Sequence, residues 1–192
     1  VLELDPSALS TERPPGKRMV GYCYHFALLH CALLRAKDIA SRPRCGFVNY
    51  FDSGKWVDHW VTEYLDDGRW QLIDPHTGRD VVSRDEFHDG GTAWQECRSG
   101  RADPYTYGIN DLWGWDELRG SLVNDLGALN KVEFGHWDWC SAVNDLPDKA
   151  NPNPAFDTSL DPIAHAILGT ANFAAAQEEY TSRPELHPPV VS

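Results

Sequence analysis

The sequence predicts an α+β fold, in which one helix precedes a three-stranded antiparallel meander and further helices follow it. Apolar residues recur at helical spacing from about Cys23 to Lys37. Three segments rich in aromatic and β-branched residues come next, separated by turn residues. After about residue 115, leucines again recur at helical spacing. The 192 residues are enough for one domain with a sizeable core.

The first 20 residues carry two adjacent prolines and several charges, which predicts irregular structure. We predict the first helix from Cys23 to about Lys37. Its apolar residues do not keep to a single narrow stripe, so we expect a helix that is buried on most sides; they are Phe26, Ala27, Leu29, Leu33 and Leu34.

The meander is predicted over residues 42–51, 56–65 and 69–74. Ser53-Gly54 and Asp66-Asp67-Gly68 supply the two turns. Residues 76–110 are rich in glycine and polar residues and are predicted as loops with short helices, with an amphipathic fragment near residues 81–87.

The second half of the chain is predicted to be helical. Leucines at helical spacing predict a helix that starts at Trp115 or Ser121 and ends near Glu133. Prolines make residues 145–160 a connection, and Asp161-Pro162 then predicts a helix start for the run 163–180, followed by an extended tail. We therefore expect a catalytic domain over residues 1–146 and a helical C-terminal extension, packed on it or extending from it, over residues 147–192.

Composition excludes several classes of function. The net charge of −12 is concentrated in the second half of the chain, which argues against nucleic-acid binding. No signal peptide and no apolar stretch long enough to span a membrane is evident, so we expect a cytoplasmic protein without a membrane partner. The five cysteines are widely spaced and odd in number, which indicates reduced thiols rather than a disulfide framework or zinc site.

Hairpin register predicts that His59 and Asp74 share one face of the sheet. If Asp67-Gly68 is a two-residue turn, paired residue numbers sum to 135, and the two side chains are diagonal neighbours. A four-residue loop gives a sum of 133, and His59 then faces Asp74 directly. A three-residue loop would place them on opposite faces unless a bulge restored the register. The rival carboxylate, Asp58, points away by strand alternation.

Cys23 lies where the first helix begins, and a helix N-terminus favours a thiolate. A thiol, an imidazole and a carboxylate form the constellation of a cysteine acyl-transfer enzyme, but spacing alone does not bring Cys23 to His59 and Asp74.

Three segments together resemble the transglutaminase-like proteins of the papain-like superfamily, over residues 20–76. They are Gly21-Tyr22-Cys23-Tyr24-His25-Phe26, Asp58-His59-Trp60-Val61 and Leu72-Ile73-Asp74-Pro75. The resemblance implies a papain-like core with the catalytic helix packed on an antiparallel sheet. It also implies that Cys23 is the nucleophile, that His59 is the general base and acid, and that Asp74 orients His59.

Some positions depart from the family pattern. Asp38 and Ala40 stand where Gly and Pro are common, and Tyr24 stands where Arg is frequent. No tryptophan precedes Cys23, so the second oxyanion donor is unassigned, and a small or peptidic substrate is favoured over protein cross-linking. Tyr22, Tyr24 and Trp60, which adjoin the predicted catalytic residues, are candidates for substrate contact.

The expected chemistry is amide or peptide hydrolysis, or amide formation, through a thioester on Cys23. The substrate would be a small-molecule or peptide amide or thioester, and no cofactor or metal is implied. Two alternatives stay open: an inactive relative that binds a peptide or protein partner through its cleft, and a metal-dependent enzyme. The histidines offer no recognisable metal-binding motif; they include His25, His30, His76 and His88.

Overall fold

The computed structural model describes residues 5–8, 10–132, 140–168 and 173–188. Within them the chain has the predicted α+β fold, with a mostly antiparallel sheet, helices on it and a helical C-terminal part. The sheet runs in the order β4-β3-β2-β1-β5, and a short β6–β7 pair joins it where β6 lies parallel to β2. The strands are β1 (Ser41–Val48), β2 (Trp56–Asp66), β3 (Arg69–Asp74), β4 (Arg79–Val82), β5 (Phe87–Asp89), β6 (Tyr107–Ile109) and β7 (Leu112–Trp113).

Six α-helices lie in the described residues: α1 (Cys23–Arg35), α2 (Gly90–Arg98), α3 (Trp115–Leu129), α4 (Ser141–Asn144), α5 (Pro154–Leu168) and α6 (Phe173–Thr181). The first three strands and α1 agree with the prediction within a few residues. Helix α3 begins at the earlier of its two predicted starts. None of the described helices is long and apolar enough to cross a membrane.

The prediction that α1 is buried on most sides is wrong. The helix packs on β1 and β2 through one face, which buries Tyr24, Ala27 and Cys31. On the other side, Phe26 and Leu29 keep 41% of their surface exposed. Helical spacing identified the helix, but the pattern alone could not show that only one side of it would be covered.

The prediction of loops and short helices over residues 76–110 is only partly right, because the region also contributes strands β4, β5 and β6 to the sheet. These strands are only three or four residues long, so they carry little periodic signal. Strand β5 pairs closely with β1 at Gly46, where an added Cβ would lie 2.2 Å from the carbonyl oxygen of His88. Gly46 therefore permits this pairing.

The predicted helix start at Asp161-Pro162 is also wrong, since Pro162 lies inside α5. The helix begins at Pro154, and the side chain of Asn153 accepts a hydrogen bond from the N–H of Phe156. Proline does occupy the first helical position, as the rule states, but the proline there is Pro154 and not Pro162. The run predicted over 163–180 is divided between α5 and α6, with residues 169–172 outside the described part.

Two hydrophobic clusters lie on one face of the sheet, since Cys45 and Phe47 are two residues apart on β1, and a third, with Val48 and Val61, lies on the other face. The largest lies among α2, α3, α5 and α6 and includes Phe47 of β1. A second joins α1 to the sheet through Tyr24, Ala27, Cys45 and Trp60. Between β1 and α3, buried Arg44 donates two hydrogen bonds of 2.8 Å to Asp125, which compensates both charges. Helix α3 is thereby fixed against the strand next to β2.

Candidate active site

The β2–β3 hairpin has the two-residue turn that places His59 and Asp74 on one face. Asp66 pairs with Arg69 and Thr62 with Ile73, so paired numbers sum to 135. The turn residues Asp67 and Gly68 both have positive φ, 46° and 75°, as the tight hairpin turn requires. The Nε2 of His59 lies 2.9 Å from Oδ2 of Asp74.

Asp74 is held by hydrogen bonds on both carboxylate oxygens. Besides His59, the hydroxyls of Tyr50 and Thr77 each donate to Oδ2 at 2.7 Å. The backbone N–H groups of His76 and Thr77 donate to Oδ1 at 2.9 and 3.2 Å. Asp74 therefore ends the strand and stabilises the following turn with one oxygen while the other binds His59.

These contacts determine the charge of Asp74. Burial by itself would raise the pKa of this carboxyl, but hydrogen bonds and charge from His59, with the hydroxyls of Thr77 and Tyr50, outweigh it and hold the pKa below its ordinary range. Asp74 is thus an ionised acceptor. Because it occupies Nε2 of His59, Nδ1 is the imidazole nitrogen left to exchange a proton with another group.

Cys23 is the first residue of α1, and its sulfur lies beside the backbone of β2. The N–H groups of Trp60 and Tyr24 hydrogen-bond to this sulfur. Trp60 directly follows His59, so the contact brings the thiol to the same stretch of β2 as the imidazole. Tyr22 precedes α1 and caps its N-terminus. Its backbone N–H donates a hydrogen bond of 3.3 Å to Nδ1 of His25.

The electrostatic surroundings of Cys23 disfavour its thiolate. Burial, followed by the charge of Asp58, raises the pKa of the Cys23 thiol to about 12, although the N–H groups of Trp60 and Tyr24 lower it. The expectation that the helix N-terminus favours a thiolate is therefore outweighed by loss of solvent. In this arrangement Cys23 is a neutral thiol that needs a base.

Two buried acids, Asp58 and Glu117, influence each other, and Asp58 also acts on Cys23. Asp58 points away from His59, as strand alternation predicted, and burial followed by the charge of Glu117 raises its pKa. Glu117, on α3, is only 2% exposed, and its Oε1 has no hydrogen-bond partner among the described residues. Burial, then the charge of Asp116, raises the pKa of Glu117 to about 8.

Aromatic rings surround the outer side of His59. The exposed ring of Phe51 meets it edge-on with centroids 4.9 Å apart, and His76 lies 5.6 Å away. The ring of Phe26, on the exposed side of α1, lies 5.2 Å from His76. Phe26, His76 and Phe51 thus form an aromatic rim beside the imidazole.

The three predicted substrate contacts differ in exposure. Tyr24 and Trp60 are 8% and 1% exposed and pack edge-on against each other with centroids 4.9 Å apart. They therefore support the site from beneath. Tyr22 is 39% exposed and is the one of the three whose ring faces solvent substantially. Direct substrate contact stays a prediction for Tyr22, and a supporting position describes Tyr24 and Trp60 better.

Sequence reasoning missed Tyr50 and Thr77, the two hydroxyl donors to Asp74. Thr77 could have been predicted from the local sequence. In Asp74-Pro75-His76-Thr77 an Asp is followed by Pro and, three residues after the Asp, by a hydroxyl residue, a pattern typical of a turn that side chains stabilise. The sequence contains no comparable indication for Tyr50, since it lies in the loop after β1, 24 residues from Asp74.

Among the described residues, no cluster of three or more His, Cys, Asp or Glu side chains could hold a metal ion.

Comparison with known proteins supports the sequence resemblance. Residues 7–75 match the family model of the transglutaminase-like superfamily, a range that includes Cys23, His59 and Asp74. No curated protein and no solved structure matches this chain. The family match and the α+β fold agree, and over residues 7–75 this chain is similar to the transglutaminase-like superfamily.

Proposed function

We propose that this protein is a cysteine-dependent acyl-transfer enzyme in which Cys23, His59 and Asp74 act as a triad. The observation that carries the proposal is the 2.9 Å contact between His59 Nε2 and Asp74 Oδ2, next to a helix-terminal thiol that hydrogen-bonds to the N–H of Trp60. The family match adds support, because cysteine protease and acyltransferase activities occur in this superfamily.

In the first half-reaction, the Cys23 thiol gives its proton to Nδ1 of His59 as the sulfur attacks the substrate carbonyl. A sulfur–carbon bond forms, and the bond from the carbonyl carbon to the leaving group breaks. His59 returns the proton to the leaving amine or thiol. Asp74 holds the imidazole in the required tautomer and stabilises its transient positive charge.

In the second half-reaction, water or an amine attacks the thioester on Cys23. His59 accepts the proton of the attacking group and then returns it to the departing sulfur. Water gives hydrolysis and an amine gives an amide. Because Cys23 is the first residue of α1, its backbone N–H is one of the helix N–H groups without an intrahelical acceptor, and we assign it to the oxyanion of the tetrahedral intermediate.

The raised pKa of Cys23 supports a role for His59 as a base. A thiol with a pKa of about 12 is almost entirely protonated at neutral pH. Acylation therefore needs proton transfer during attack, and it should depend strongly on His59. An enzyme with a preformed thiolate would not show the same dependence.

Trapping of an acyl-enzyme tests the proposal. The wild-type protein is incubated with a panel of aryl amides, peptide amides and carrier-bound thioesters, and adducts are located by intact mass and peptide mapping. We expect one acyl group on Cys23, no adduct in Cys23→Ser, and at least a hundredfold slower acylation in His59→Ala. Cys97→Ser is the matched control, because Cys97 is buried outside the site and should not change acylation.

An added primary amine then separates the two outcomes of the thioester: amide product identifies a transferase, and acid product a hydrolase. The proposal fails if no donor acylates Cys23 although iodoacetamide alkylates it. That result would favour the alternative of an inactive fold that binds a partner.

A further inference from the structure

A groove of about 380 Å³ lies between α1 and the segment that precedes it. Met19, Phe26 and Leu29 supply most of its apolar lining, and each of these side chains is 41–46% exposed. Cys23, His59 and Asp74 do not line it. Side-by-side exposure of large apolar groups in a concave surface is typical of a ligand site.

The groove adjoins the proposed active site through Phe26. Residues three apart on a helix are surface neighbours, so Phe26 lies next to Cys23 on α1. The ring of Phe26 is also the outer end of the aromatic rim, 5.2 Å from His76, which is 5.6 Å from His59. Phe26 therefore borders both the groove and the rim beside the imidazole.

The segment that forms the outer wall of the groove is stabilised by hydrogen bonds between its own residues. The guanidinium of Arg13, which is 8% exposed, donates to the carbonyl oxygens of Ser7 at 2.8 Å and Ala8 at 3.3 Å. Arg18 in turn donates from Nε to the carbonyl oxygen of Arg13 at 2.5 Å. Because these bonds join residues within the segment before α1, they restrict its backbone, and less conformational entropy is lost when a ligand binds along it.

The chemistry of the groove selects an uncharged apolar group. The charged lining residues are Glu12, Arg13 and Arg18. Glu12 and Arg18 lie 3.5 Å apart and compensate each other, and Arg13 is 8% exposed and donates to backbone carbonyl oxygens, so each charged group already has a partner within the protein. Its volume is in the range of small-molecule pockets. An apolar chain attached to a carbonyl at Cys23 would reach the groove by passing Phe26.

We propose that this groove binds an apolar acyl chain of the donor, so that the protein favours long apolar acyl groups over short ones. This inference rests on the proposed acyl transfer for the identity of the ligand. The binding itself can be measured without turnover.

Two measurements test the inference. In Cys23→Ser protein, calorimetry compares the affinities of N-octanoylglycinamide and N-acetylglycinamide. In protein with Cys23 intact, intact mass follows acylation by octanoyl and acetyl thioesters of N-acetylcysteamine. We expect Leu29→Asn to weaken octanoyl binding about tenfold and to lower the ratio of octanoyl to acetyl acylation rates about tenfold. This is the size of effect expected when one leucine-sized apolar contact is lost.

Leu33→Asn is the matched control, because Leu33 is 46% exposed on the same helix but does not line the groove. Met19→Gln, in the segment before α1, should act like Leu29→Asn without altering the helix. Equal affinities for the octanoyl and acetyl probes would overturn the inference. The inference would also be overturned if Leu29→Asn changed the oligomeric state without changing probe binding. That result would mean that the exposed side of α1 binds a second copy of the chain. If neither thioester acylates Cys23, the proposed function fails. Calorimetry would still show whether the groove binds the octanoyl chain in preference to the acetyl group.

Discussion

Replacing Glu117 with glutamine should stabilise the protein in a strongly pH-dependent way. Glu117 is nearly fully buried, and burial followed by Asp116 raises its pKa from 4.5 to about 8. The folded protein therefore holds a proton on Glu117 that the unfolded chain has released between these two values. Since stability falls with pH wherever the folded state binds more protons, wild-type stability declines from about pH 4.5 to pH 8 on this account.

The two pKa values give the size of the effect. Glu117 lowers the free energy of unfolding by about 1 kcal/mol at pH 5, about 3 kcal/mol at pH 7 and about 5 kcal/mol at pH 9, at roughly 1.4 kcal/mol per pH unit. Glutamine has nearly the same shape and no charge. A difference in packing between glutamine and glutamate changes the free energy of unfolding by the same amount at every pH. It therefore cancels when the stability difference between variant and wild type is compared across pH values.

The assay is urea denaturation of wild type and Glu117→Gln at pH 5, 6, 7 and 8, with Glu178→Gln as a control at an exposed position on α6. The advantage of Glu117→Gln over wild type should grow by about 2.5 kcal/mol from pH 5 to pH 7. Asp58 titrates in the same cluster, so some pH dependence should remain in the variant. A stability difference that is constant across this range would refute a buried, proton-holding Glu117.

Three further substitutions test single contacts. Tyr50→Phe removes one hydrogen bond to Asp74 and should slow acylation about fivefold with little change in KM, since one such bond contributes about 1 kcal/mol. Asp58→Asn should alkylate faster than wild type at Cys23, and the ratio of the two iodoacetamide rates should rise with pH as Asp58 ionises in the wild type. Asp38→Gly should raise the free energy of unfolding by about 1 kcal/mol, because Asp38 adopts a φ of 60°.

Each of these has a contradicting result. A Tyr50→Phe protein with wild-type acylation would show that the remaining donors suffice to orient Asp74. A rate ratio for Asp58→Asn that is constant with pH would show that this carboxyl does not influence the thiol. Thermal or urea denaturation of Asp38→Gly that shows no gain would mean that the aspartate is unstrained in its turn.

Much of the hairpin and part of the site were predictable. Strands β1 to β3 follow from aromatic and β-branched runs, and Asp67-Gly68 predicted the turn that the structure contains. Given that turn, the side-chain period of two brings His59 and Asp74 to one face. Strands β4 and β5 were not predicted because each is only three or four residues long, and β5 in addition forms by pairing with β1, about 40 residues earlier in the chain. Tyr50 was not recognised as a donor to Asp74 because it lies 24 residues away in the sequence.

By itself the sequence determined the α+β order of elements, the relation of His59 to Asp74 and the family resemblance, because these depend on local patterns and turn chemistry. Only the tertiary structure decided that the Cys23 sulfur lies against the N–H of Trp60 and that α1 leaves Phe26 and Leu29 exposed. It also decided that Cys23 is a neutral thiol near Asp58, against the expectation from a helix terminus. Solvent exclusion and charge proximity arise from packing between distant segments, and no spacing along the chain encodes them.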